Sequence, residues 1–208
     1  MNKILLLAML VLTSFGVQAN HQQPFGVSGH VGVSSDWFFR GDSMVSDGAH
    51  SFMNVNASYR GLYTGLHAGR IDRGNDASVM GMLRAGYDLQ IMDNLSLDMG
   101  YMRHMYDNVY SDMNEVYAGI NYGVVSLYGF HNPDSDDDYA EMRLNISQFV
   151  PVVDVNLLYG YHQEGDDWSG LWVSYPVNNW QVYAQFMIDE MFEGEASDNI
   201  SVGFQYNF

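Results

Sequence analysis

The chain has 208 residues, 47% of them hydrophobic, with 21 Gly, 15 Tyr, no Cys and a formal charge of −17. That length fits one domain, and the acidic balance argues against a nucleic-acid partner, which needs clustered Lys and Arg. Without cysteine there is no disulfide framework, thiolate metal site or thiol nucleophile.

Met1 to Ala19 reads as a secretory signal peptide. Lys3 supplies the positive start, Ile4 to Leu12 is an unbroken apolar run, and Val17-Gln18-Ala19 ends it with small residues. The run is about half the ~20 residues that a spanning helix needs. Residues 20–208 are then expected to form a single domain, and they contain no lysine.

From residue 25 onward the chain alternates with period 2. Val27, Val31, Val33 and Trp37 share one face, against Ser28, His30, Ser34 and Asp36 on the other. The same pattern recurs along the chain. Met53, Val55 and Ala57 oppose Asn54 and Asn56. Leu95, Leu97 and Met99 oppose Ser96 and Asp98, and Ile200, Val202, Phe204 and Tyr206 oppose Ser201 and Gln205. Twelve strands are predicted, at 25–40, 49–60, 62–71, 77–88, 95–106, 113–122, 124–131, 139–149, 154–163, 168–175, 180–189 and 198–208. Two are weaker. The strand at 62–71 carries Thr64 and Arg70 on its apolar face, and the strand at 124–131 alternates poorly, so ten strands is the alternative count. Most are near the 9–11 residues of a tilted strand that crosses a bilayer.

The connections alternate as well. Those around 60–61, 89–94, 121–123, 150–153 and 176–179 are short. The others are longer and hold 18 of the 25 acids. Short turns at one end and long acidic loops at the other match a transmembrane antiparallel β-barrel with periplasmic turns and outer loops. Trp37, Tyr59, Tyr87, Tyr101, Tyr122, Tyr159, Tyr175, Trp180 and Tyr206 fall towards strand ends on the apolar face, where aromatic girdles sit. The opposite face reads as polar or small, as in a lumen. Phe208 ends a strand with apolar alternation, which resembles the C-terminal signal that the barrel-assembly machinery recognises.

Ser35-Asp36-Trp37-Phe38-Phe39-Arg40-Gly41, with Ser43, resembles the opening strand of the TorF-type porin family of proteobacterial outer-membrane proteins. That family begins its barrel with roughly Ser-Asp-aromatic-x-Phe-Arg-Gly. Tyr59-Arg60-Gly61-Leu62-Tyr63, with Gly65 and Gly69, is similar to its glycine-rich second hairpin. Trp37 stands where Tyr is commoner. The resemblance implies an outer-membrane location in a Gram-negative bacterium and a channel more than it implies a solute.

The chemistry of the polar face follows from the same register. Asp36, Arg40, Arg84, Asp98, Glu115, Glu141 and Arg143 are the pore-lining candidates, because an Arg facing lipid near midplane costs about 2–4 kcal/mol. The seven His lack His-x-His or His-x-x-x-His spacing, so no metal site is expected, although His30, His67, His104 and His162 share the inner face. The acids Asp134, Asp136, Asp137 and Asp138 read as a solvated loop rather than a Ca²⁺ loop. No nucleophile–base arrangement stands out, so no catalytic residue and no cofactor are expected, and the chain reads as a non-enzyme. The reading is a channel for passive diffusion of small hydrophilic solutes or ions, with outer-membrane lipids as neighbours. A structural or adhesive barrel is the alternative, and a lipid-modifying barrel enzyme the second.

Overall fold

A computed structural model describes residues 25–72, 77–107, 111–135, 137–150, 152–189 and 197–208. The proposed signal peptide, Arg73 and Asp136 lie outside the described residues.

The strands are β1 (Gly26–Ser34), β2 (Phe38–Phe39), β3 (Asp42–Ser43), β4 (His50–Tyr59), β5 (Leu62–Asp72), β6 (Ala77–Met92) and β7 (Leu95–Tyr106). They continue with β8 (Met113–Tyr122), β9 (Val125–Asn132), β10 (Asp137–Asn145), β11 (Asp154–His162), β12 (Asp167–Val177), β13 (Trp180–Asp189) and β14 (Ser197–Asn207). β1 and β4 to β14 form one closed barrel in which each strand pairs antiparallel with its chain neighbours, and β14 closes on β1. Twelve strands, not ten, make the wall. Closure is what a bilayer demands, since a free edge in hydrocarbon would leave backbone groups unpaired.

The sequence punctuates the wall where it should turn. Arg60 and Gly61 both have positive φ, 50° and 87°, as a two-residue hairpin of the primed type requires. Gly26 pairs with Ser58 and His30 with Asn207, so β1 begins and β14 ends beside this short-turn rim. The opposite rim carries the longer connections.

The predicted facing holds. Val31, Ile120, Val182 and Val202 are exposed on the outer surface, and Val55, Leu97 and Leu144 are half-buried there. His30, Asn54, Arg84, Asp98, Arg143 and Gln185 take the inward parity, with Asn54 and Asp98 buried. Arg70 does point outward, but it lies near the long-loop rim. There it pairs with Asp72 Oδ2 at 2.6 Å and donates to the carbonyls of Asp47 and Ala49. That position spares it the midplane cost.

The structure corrects three expectations. The first strand stops at Ser34, not at residue 40. Asp36 Oδ1 accepts from the backbone N–H of Trp37 (2.7 Å) and Val45 (3.0 Å), and Ser34 and Ser201 Oγ both donate to the Asp36 carbonyl at 2.7 Å. These bonds offer the backbone an alternative to the ladder and turn residues 35–45 into the barrel. Trp37 therefore leaves the proposed girdle and stacks inside on His50 and His67. The eighth strand of the wall, β10, also ends early, at Asn145 rather than at residue 149. Asn145 Oδ1 accepts from Ser147 N–H, and Ser147–Phe149 forms a 3₁₀ turn. Finally, the inner face is not merely polar or small. Phe38, Met102, Tyr117, Phe130, Tyr139, Trp168 and Met187 form a buried interior cluster.

Candidate functional site

The barrel interior is the site, because side chains from strands far apart in the wall meet there. Tyr63 on β5 and Tyr117 on β8 hydrogen-bond through their hydroxyls. Two strands stand between them in the wall, so this contact exists only across the inside.

The segment 35–45 enters from the long-loop end. Its short hairpin, β2 and β3, turns at Arg40 and Gly41, with φ of 53° and 90°. At Gly41 a Cβ would also press on the Asp189 carboxylate and on Trp168, so both the conformation and the close approach call for glycine. The tip leaves the wall between β1 and β4 and reaches its far side. Arg40 forms an ion pair with Glu115 on β8, and its guanidinium lies 3.7 Å over the Tyr139 ring on β10. Glu115 is fully buried. Its Oε2 also lies 3.0 Å from His104 Nε2 and accepts from Tyr139 OH at 3.3 Å. Phe38, Met44 and Val45, all buried, hold the segment in place by apolar contact.

Below this crossing lies a ring of tyrosines and charges. Tyr63 OH donates to Asp98 Oδ1 at 2.5 Å, and Tyr128 OH lies 3.1 Å from Asp98 Oδ2. Arg84 lies 4.9 Å from the Tyr63 ring centre, and Arg143 lies 4.9 Å from that of Tyr128. Arg143 Nε donates to Glu141 Oε2 at 3.0 Å. Towards the short-turn rim the lining becomes polar, with Asp88 and Asp154 as its carboxylates. Ser96 Oγ donates to Asp88 at 2.9 Å, Gln181 to Ser174 Oγ at 2.7 Å, and Gln205 to Gln181 Oε1 at 2.8 Å.

Six of the seven sequence-derived candidates therefore carry side chains into the lumen, but not as one cluster. Arg40 meets Glu115, Arg143 meets Glu141, and Arg84 meets Tyr63 close to Asp98. Each arginine has its own partners. Asp36 is the exception, since its carboxylate serves the backbone of the inserted segment. His30, His67, His104 and His162 all take the inward parity; His162 stands directly opposite inward-facing Tyr139 and pairs with Asp137 near the long-loop rim.

Sequence reasoning missed the interior aromatics. A signal for them was present. Inward glycines 32, 86, 100, 119, 160 and 203 stand directly opposite Phe52, Tyr63, Tyr117, Tyr128, Trp168 and Tyr183 on the neighbouring strand. In each pair the ring lies where a glycine Cβ would be. Such pairing becomes visible only when the register is known.

Neither a protein-family model nor a curated protein sequence matches the chain. Solved structures do match in fold. A KdgM porin superposes with a TM-score of 0.64 at 13% identity, covering 87% of this chain and 99% of that one. A KdgM porin in complex with disordered oligogalacturonate gives 0.61 at 12% identity, covering 88% and 98%. A third structure, from work on in-meso crystallization of membrane proteins, gives 0.54 at 10% identity, covering 87% and 83%. At such identities the likeness is one of fold, and the fold is that of a twelve-stranded porin-type barrel.

Proposed function

We propose that the chain is an outer-membrane porin-like channel for passive diffusion of small hydrophilic solutes or ions. The observation that carries this reading is the column of ionised and hydroxyl groups inside a barrel whose outer wall is apolar. Arg40, Glu115, Arg84, Asp98, Glu141 and Arg143 line that column and filter solutes by size and charge. The inserted segment 35–45 is its constriction, with Arg40 spanning the bore. The fold likeness to KdgM porins supports the reading. One of those structures contains an oligogalacturonate, and solutes of this hydrophilic class are the ones we assign to this chain.

The finer assignments belong to the same proposal. The chain is a TorF-type porin, exported by a signal peptide over residues 1–19 to the outer membrane of a Gram-negative bacterium. It is assembled there through the strand ending at Phe208, and it carries no catalytic machinery. The motif behind the TorF resemblance gains a physical sense. Asp36 folds the inserted segment, Arg40 bridges the bore and Gly41 makes its tip.

Liposome swelling with neutral sugars of rising size tests the channel. Permeation with a sharp size cut-off, widened in Arg40→Ala, is the expected result. If neither the wild type nor Arg40→Ala admits sugar above protein-free liposomes, the barrel is structural rather than a channel.

A further inference from the structure

The upper interior holds buried imidazoles with no stated use in a channel. His50, His67 and His104 come from three different strands, β4, β5 and β7, and all three are almost completely buried. The inserted segment is their cover. Trp37 stacks on both His50 and His67, its ring centre 5.6 Å from each, and Phe39 meets His104 edge-on at 5.3 Å. His50 and His67 also stack on each other at 5.9 Å. Aromatic rings of the segment thus lie against titratable rings of the wall.

This packing suits uncharged imidazoles. His50 Nδ1 lies 2.6 Å from the Arg70 carbonyl, so it carries the proton, and Nε2 is the nitrogen left to take a second. Among the described residues, neither that Nε2 nor either ring nitrogen of His67 has a hydrogen bond. A second proton on either ring creates an N–H without an acceptor and an ion in a dry site. The charged groups nearby are already committed. His67 is acted on by His30, His50 and His104, and His50 by Arg70, whose guanidinium is paired with Asp72. On the segment, Asp36 gives its carboxylate to the N–H groups of Trp37 and Val45. The remaining packing around Trp37 and Phe39 is apolar, from Met44, Ile71 and Met80. His104 differs. Its Nε2 lies 3.0 Å from Glu115 Oε2, and Glu115 is the partner of Arg40. A second proton on His104 makes two cations share one carboxylate, at the expense of the ion pair that anchors the segment's tip.

We propose that these buried histidines make the inserted segment a gate released by acid. The inference rests on the reading of residues 35–45 as the constriction of a channel. At neutral pH the rings are uncharged and the segment stays seated. As pH falls, protons on His50 and His67 put like charges side by side, and a proton on His104 competes with Arg40 for Glu115. Withdrawal of Trp37 and Phe39 lets water reach the rings. The withdrawn state therefore binds more protons, and the inserted state loses population as pH drops. The segment yields rather than the wall, because the wall is a closed ladder whose opening would leave backbone groups unpaired in hydrocarbon. Acid thus swings residues 35–45 out of the interior and widens the bore.

The test uses the folded full-length protein with a single nitroxide at Ser43→Cys, on β3 of the inserted hairpin; the chain has no other cysteine. The label is read in detergent from about pH 7 to about pH 4, a range in which imidazoles titrate, and single-channel recording covers the same range. The expected change is reversible. The label is immobilised at neutral pH and becomes mobile and open to a water-soluble relaxing agent in acid, while time spent at higher conductance rises roughly tenfold. His50→Asn/His67→Leu keeps a donor for the Arg70 carbonyl and removes both titrating rings. It should lose most of the acid response while its label stays immobile at neutral pH. If that double variant fails to fold, His50→Asn alone should give an intermediate response. His131→Asn, on the outer rim, should respond as the wild type does. The proposal is overturned if the wild-type label stays immobile throughout in a barrel that gel mobility shows to be folded. It is also overturned if the histidine variants release as the wild type does, since the Glu115 carboxylate is then the sensor. Label release without any conductance upholds the acid release and overturns the channel reading instead.

Discussion

The Arg40–Glu115 pair is the sharpest place to test the constriction. Glu115 is fully buried and Arg40 partly so, and removing one partner of a buried pair costs about 3–5 kcal/mol because the other charge is left uncompensated. Arg40 keeps some contact with solvent, which argues for the low end. About 3 kcal/mol is roughly two powers of ten in the ratio of inserted to withdrawn segment. The apolar contacts oppose withdrawal. Phe38, Met44 and Val45 are buried, each stabilising the inserted state by about 1.5–3 kcal/mol. Arg40→Ala and Glu115→Gln should therefore not hold the pore open. They should produce brief excursions to a higher conductance, and adding Phe38→Ala should lengthen them.

Single-channel recording in planar bilayers reads this directly. The two charge changes belong to one interaction, so the double variant Arg40→Ala/Glu115→Gln should open scarcely more often than either single variant. Heat-modified mobility on gels checks that each barrel is folded. Wild-type conductance and gating in both single variants, with folded barrels, would refute the assignment of segment 35–45 as the constriction. Strict additivity would separately show that Arg40 and Glu115 act through different partners.

Three further outcomes follow from the packing and charge. Gly160→Val sets a side chain into the Trp168 ring and should lower stability by about 1–3 kcal/mol, seen as a lower temperature of gel-mobility change; an unchanged temperature would show that the ring has room to move. The chain has no cysteine, so single nitroxides can be placed at Val202 and Gln185 without background. The first should be accessible to membrane oxygen and the second immobilised and shielded, and equal oxygen accessibility would reverse the strand's faces. Each lumen arginine is matched by acids or tyrosines, so the acidic outer loops should dominate the field at the mouth. Reversal potentials under a KCl gradient should give a modest cation preference that shrinks as salt rises; anion preference that survives neutralisation of Asp134, Asp137 and Asp138 would hand control to the arginines.

The wall of the barrel was legible because its signal is local. Apolar and polar residues alternate in Leu95–Tyr101 or Ile200–Tyr206 whatever the rest of the chain does, and the turns follow from Arg60-Gly61 and similar pairs. The inserted segment was not, since the same alternation runs on from Val33 to Trp37. Nothing in a period of 2 distinguishes a tryptophan facing lipid from one carried inward. The difference lies in Asp36, whose side chain takes the N–H groups of Trp37 and Val45. An aspartate in an alternating run looks like one more lumen residue until those bonds are seen.

The same register accounts for how a barrel of this size holds so many inward aromatics. Twelve strands enclose more than side chains alone fill at eight, and less than the wide porins. A tyrosine standing off the wall would reach well into that space. Opposite a glycine it can lie along the wall instead. Tyr63 lies over Gly86 and Tyr117 over Gly100, with both hydroxyls turned towards Asp98 or each other. The glycines thus trade β-propensity for radius. The rings laid flat leave the middle of the barrel to the charged ends of Arg84, Arg143 and Glu141. In the channel proposed here, the aperture of this lower half is set by the glycines of the wall as much as by the residues that line it. In the upper half it is set by the inserted segment, with Arg40 reaching across to Glu115.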